Sequence, residues 1–118
     1  MTPKRFRRFL DRDNGCVHCG EYDAVSPHHR ANRGMGGSKE RDVASNVIVV
    51  CSSLNSAMES DEKTADMARS YGWKLRPWQD PAHTPVYYAT LGSWFLLDNE
   101  YNKTQGGDSA TYQRVTPF

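Results

Sequence analysis

The chain has 118 residues, a formal net charge of +1, 37% hydrophobic and 25% charged residues, and three cysteines. That length suits one domain, the 11% aromatic content argues against disorder over most of it, and no apolar run approaches the roughly 18 residues of a membrane span. The basic start, residues 1–8, lacks the apolar stretch of a secretory leader, so a cytoplasmic protein is expected, whose cysteines serve as metal ligands or free thiols before disulfides.

The small net charge hides an asymmetry. Residues 1–46 carry nine Lys/Arg against six Asp/Glu, a net of +3, and residues 47–118 carry six against eight, a net of −2. Lys4, Arg5, Arg7, Arg8 and Arg12 crowd the first twelve residues against Asp11. Such a cluster is either a solvated basic face or a footprint for phosphate.

Residues 3–13 predict a short helix, because Phe6, Phe9 and Leu10 recur at i, i+3, i+4 while arginines fill the other face. Asn14-Gly15 ends it. Residues 16–20, CVHCG, make a tight CxxC knuckle. Residues 24–30 predict an extended segment, with Pro27 keeping Ser26 out of the α region. A loop follows to residue 45, dominated by Asn32, Gly34, Gly36, Gly37 and Ser38. Residues 46–51, NVIVVC, form the best strand in the chain. Residues 52–72 are helical in pattern and in two pieces. Leu54, Ala57 and Met58 stripe the first, and Ala65, Ala68 and Tyr71 the second; Ser60 or Asp61 caps the join and Gly72 is the stop. Residues 73–85 are Pro-rich and irregular. Residues 86–89 and 93–97 predict two strands joined near Leu91-Gly92. Trp73, Trp78, Trp94, Tyr87 and Tyr88 are expected in the core of this hairpin rather than as base-stacking platforms. From Asn102 the sequence turns polar and Gly-rich, which predicts a loose tail. His83 has no evident role.

Four features fall in order within 40 residues: Cys16-x-x-Cys19, His28-His29, Asn46 opening a strand, and Cys51-Ser52-Ser53-Leu54-Asn55 entering a helix. Each alone is weak. A CxxC is redox-active or zinc-binding, paired histidines are often surface residues, and Asn at such places is often a turn or cap residue. A redox reading needs a βαβ context that the sequence lacks. Hydrolysing a phosphodiester needs a base to take a proton from water and a cation to stabilise charge, and histidine, with a reference pKa near 6.5, is the natural base at neutral pH.

The ordered set, CVHCG…SPHHRANRGMGGS…SNVIVVCSSLNSAMES, resembles the HNH endonuclease family, with a flavour of its small bacteriophage members. The resemblance covers residues 16–60 and implies an α+β fold with a ββα-metal core, on a single domain with a basic helix before it (1–15), a helix and hairpin after it (61–101) and a tail (102–118). It implies that His29 is the general base, that His28 is a metal ligand, and that Asn46 braces the loop and orients the base. Asn55 stands where the name-giving pattern has His. An amide oxygen suits Mg²⁺ or Mn²⁺ and turns preference away from softer ions. Glu59, one turn later, either joins the ion or its water, or is simply solvated. Relatives often carry two CxxC knuckles around a structural zinc; here Cys16, Cys19 and Cys51 remain while Leu54 holds the fourth-ligand position. This predicts a zinc site weakened or lost, with Leu54 packing inward; a three-cysteine site completed by water or His18 is the lesser reading.

The function implied by the resemblance is that of a metal-dependent endonuclease acting on DNA through its phosphate backbone, with Arg5, Arg7, Arg8, Arg30, Arg33, Lys39 and Arg41 as contacts, and Arg12 with them. A homodimer or a phage packaging partner is compatible with one site per chain. The rival expectation is a catalytically impaired nucleic-acid-binding module on the same fold, motivated by Leu54 and Asn55.

Overall fold

Residues 1–32 and 41–106 are described by the computed structural model; Arg33, Lys39 and the end of the expected tail lie outside them. The first helix, α1 (Pro3–Asp13), starts where the Thr2 hydroxyl accepts the Arg5 N–H at 3.1 Å and Pro3 needs no donor of its own. It ends as expected, with Asn14 in the left-handed conformation at φ 56° and its N–H returning to Leu10 O. Strand β1 (Val25–His29) pairs antiparallel with β2 (Val47–Cys51), setting His28 opposite Ile48 and His29 opposite Val47.

Two helices follow β2 directly, α2 (Ser52–Ser60) and α3 (Glu62–Ser70). Asp61 divides them: it closes α2 through its N–H to Ala57 O and caps α3 through its carboxylate to Thr64 N. Gly72 ends the helical stretch at φ 77°, and a Cβ there would stand 2.1 Å from Pro85 O; only glycine fits both demands. A second antiparallel sheet runs in the order β3 (Val86–Tyr88), β4 (Ser93–Leu97), β5 (Lys103–Gln105). The described residues thus form an α+β fold of three α-helices and two small antiparallel sheets. No helix among them is long and apolar enough to cross a membrane.

Alternation along β2 organises the interior. Ile48 and Val50 face a large cluster with Val17, Leu54, Met58, Trp73, Tyr88 and Leu97. Val47 and Val49 face a smaller one with Phe9, Leu10 and Ala44 beneath α1. All four of these β2 side chains are fully buried. A buried polar knot ties the clusters together. Asp13 pairs with Arg12 at 2.7 Å and accepts from Val49 N–H at 2.9 Å and from the Tyr88 hydroxyl.

Asn46 closes a 3₁₀ turn (Ala44–Asn46) and leads straight into β2, its carbonyl accepting Arg30 N–H at 2.7 Å across from the end of β1. Three expectations need correction. The polar tail does not begin at Asn102. Residues 103–105 complete the edge of β4, and Lys103 lays its ammonium over Tyr88 and Phe95, 4.7 and 5.2 Å from the ring centroids. Trp78 is not in the core: it is 79% exposed, whereas Trp73, Trp94 and Tyr88 are buried. Arg12 is not a phosphate contact, since its guanidinium is buried against Asp13, Ala44 O and Val47 O.

Candidate functional site

The His pair occupies the end of β1. His28 lies within the strand, on the same side as its partner Ile48, whereas His29 is the last residue, where the strand gives way to the loop. His28 is buried, with Nε2 2.9 Å from the Trp73 carbonyl oxygen. Nε2–H donates there, because a carbonyl only accepts, and the lone pair is left on Nδ1. Burial pulls the His28 pKa down to about 4. It is therefore neutral at pH 7, the form that can ligate a cation. Ser26 shares the His28 face, and Asn55 on α2 reaches it, Nδ2 to Ser26 Oγ at 3.3 Å. That contact leaves the Asn55 amide oxygen as an acceptor. Glu59 is exposed, and its charge acts on His28.

His29 is the last residue of β1, one-quarter exposed, with Nε2 3.0 Å from Asp42 Oδ1. With Nε2–H donating to the carboxylate, Nδ1 carries the free lone pair. Asp42 is itself held by Arg5, whose Nη1 donates to Oδ1 and Nη2 to the Asp42 carbonyl, both at 3.0 Å. No sequence signal marks Asp42. It sits beyond the Gly-rich loop, and no spacing rule links it to His29. Asn46 links the two ends of the same loop: its Oδ1 accepts Ala31 N–H at 2.8 Å, and its Nδ2 donates to Ala31 O at 2.9 Å and Arg41 O at 2.7 Å. It is fully buried.

The expected phosphate contacts divide. Arg7 and Arg8 are exposed; Arg7 lies 3.3 Å from Asp11, and the Arg8 guanidinium rests 3.8 Å over the Tyr101 ring. Arg5 is mostly covered and committed to Asp42 and Tyr101. Arg41 donates to the Pro77 and Gln79 carbonyls and so pins the turn that displays Trp78. Arg30 cannot touch DNA. It is 1% exposed, and its guanidinium donates to five carbonyls, those of Gly72, Ser45, Pro81, Thr84 and Pro85. Burial pulls its pKa down to about 9, which leaves it charged at neutral pH.

A second constellation lies beside the β1–β2 pair. The ligating atoms of Cys16, Cys19 and Cys51 all fall within 4.8 Å of one another, a group that could hold a metal ion. Cys16 is buried, Cys51 partly buried and Cys19 exposed. Burial pushes the Cys16 thiol up to about 11, while backbone hydrogen bonding from Glu21 lowers that of Cys19. Leu54 packs into the large cluster at 6% exposure, as its apolar character predicted. His83 is exposed and paired with Asp80.

Comparison with protein-family models, with curated proteins and with solved structures gave no match for this chain.

Proposed function

We propose that the chain is an HNH-type endonuclease with a ββα-metal core, hydrolysing DNA phosphodiesters with His29 as general base and Mg²⁺ or Mn²⁺ at His28 and Asn55. The observation that carries this reading is the His29–Asp42 pair at the end of β1, beside a loop cross-braced by buried Asn46. A surface histidine does not need an orienting carboxylate that is fixed in turn by an arginine. A general base does.

In this mechanism Asp42 accepts a hydrogen bond from His29 Nε2–H and so fixes the tautomer. His29 Nδ1 then takes the proton of the attacking water. The imidazolium that forms is stabilised by Asp42. Asn46 holds the loop so that His29 keeps its angle through this step. His28, neutral through burial, and the Asn55 amide oxygen are donors that suit a divalent cation. The ion they would hold supplies charge stabilisation at the phosphate and the leaving 3′ oxygen. Arg7 and Arg8 offer phosphate contacts, and the exposed Trp78 face, flanked by Arg76 and Arg41, offers a surface for a base.

The test is nicking of supercoiled plasmid with Mg²⁺ or Mn²⁺. The wild-type chain converts supercoiled to open-circular DNA, and His29→Ala lowers the rate by about 10²–10⁴-fold while still binding DNA. Binding without nicking by the wild type under either ion leaves a non-catalytic binding module. Equal nicking by His29→Ala rules out His29 as the base.

A further inference from the structure

The thiol cluster is separate from the His29 site. Its sulfurs come from two segments, the 16–19 knuckle and the N-terminus of α2. Backbone N–H groups already point at two of them: His18 N to Cys16 Sγ and Leu54 N to Cys51 Sγ, each at 3.4 Å. The mutual spacing within 4.8 Å spans the roughly 3.8 Å between sulfurs that a tetrahedral ion with bonds of about 2.3 Å requires.

The protein supplies three donors, not four. Leu54 lies three residues after Cys51, where a second knuckle would place a thiolate, and its side chain is apolar and buried. His18, between the two knuckle cysteines, sets its ring edge-on to Trp73 with centroids 5.3 Å apart. Among the described residues, no His, Asp or Glu joins the three sulfurs within the same spacing. Instead the cluster borders a surface pocket of about 400 Å³, lined by His18, Cys19, Glu21, Cys51, Ser52 and Ser53 among others. A closed structural site would have no use for such an opening.

We propose that Cys16, Cys19 and Cys51 hold one thiophilic divalent cation, zinc, whose fourth position faces this pocket and takes a small exogenous donor. The three thiols lose their protons to solvent on binding, and Zn²⁺ with three thiolates carries net −1. That charge selects neutral donors such as water, imidazole or the free base of an amine over anions. The ion would staple the knuckle to the start of α2, directly after β2. None of these residues takes part in the proposed nuclease chemistry, so the zinc site stands or falls apart from it.

The experiment uses the full chain, stripped of metal and kept reduced with a phosphine, and titrates it with Co²⁺ as a spectroscopic stand-in for zinc. About one equivalent is expected to bind, with intense sulfur-to-cobalt charge transfer and tetrahedral d–d bands. Added imidazole then shifts the d–d bands of the wild type. Cys19→Ser, at an exposed position, loses the complex. Leu54→Cys, which supplies the fourth thiolate, binds more tightly and no longer responds to imidazole. Failure of the wild type to bind Co²⁺ or Zn²⁺ overturns the proposal. So does a wild-type spectrum that ignores imidazole, and so does a d–d spectrum that changes in His18→Ala before any ligand is added, which would make His18 the fourth ligand. The wild-type imidazole response stands alone if Leu54→Cys does not fold.

Discussion

The hydrogen bond from His29 to Asp42 divides the imidazole into a fixed nitrogen and a free one. Replacing the carboxylate by an amide keeps the shape but offers an N–H or a neutral oxygen to Nε2. The wrong tautomer then becomes accessible, with the proton on the nitrogen that must be basic. Asp42→Asn should lower the nicking rate by about 10–100-fold, as loss of an orienting partner does, with KM for DNA little changed and the far-UV spectrum intact. A drop in affinity with the turnover preserved would instead make Asp42 a part of the binding surface. Arg30 carries a different kind of prediction. Its five carbonyl partners come from four separate stretches of chain, and none of them is a carboxylate. A lysine can satisfy only some of these, and the others stay buried and unpaired. Arg30→Lys should cost about 3–5 kcal/mol in urea unfolding. The salt dependence of DNA binding should stay as in the wild type, because no phosphate contact is lost.

Helix α1 is joined to the second sheet by a buried polar link, the Tyr88 hydroxyl on Asp13. Burial, with the Asp13 charge after it, holds the Tyr88 pKa well above the ordinary 10.0. The unfolded chain releases that proton near pH 10 while the folded chain keeps it. Above pH 10 the folded state therefore binds more protons, and stability falls as pH rises, by about 1.4 kcal/mol per unit from this group. Tyr88→Phe removes the slope: it should be the less stable protein at pH 8 and show the flatter decline toward about pH 11 in urea midpoints. This link is invisible in the sequence, where Tyr88 is one more aromatic on a hairpin and Asp13 one more charge on a basic helix. Legible there is whatever a local rule governs. The i, i+3, i+4 apolar spacing and Asn14 place α1, the β-branched run places β2, and Asp61 places the break between α2 and α3. Which polar groups find each other across the fold is not legible. Arg30 and Arg12 read as surface cations because an arginine carries no local mark of the carbonyls it will meet. Asp42 goes unmarked for the same reason. Trp78 departs in the other direction: a tryptophan predicts burial by its size alone, and only the turn closed by Gln79 N–H to Arg76 O and pinned by Arg41 displays it.

Strand β2 gives fully buried side chains to both apolar clusters, Val47 and Val49 on one side and Ile48 and Val50 on the other. Neither side can come apart without leaving half of β2 in water. Both clusters also need the Asp13 carboxylate, which takes Val49 N–H within the sheet and the Tyr88 hydroxyl beyond it. The chain should therefore unfold as one unit despite its two cores. Phe9→Ala tests this, because Phe9 is fully buried in the smaller cluster and the buried tryptophans lie elsewhere, Trp73 within the larger cluster and Trp94 on β4. The cavity left under α1 should cost about 3–5 kcal/mol. If β2 couples the cores, tryptophan fluorescence and far-UV circular dichroism shift to lower urea by the same amount and stay superimposed. A fluorescence transition that keeps its wild-type midpoint while the helical signal moves would mean that α1 and its cluster melt separately. His29 and the thiol cluster would then rest on a core that survives without α1, and the Arg5 support of Asp42 would be lost first.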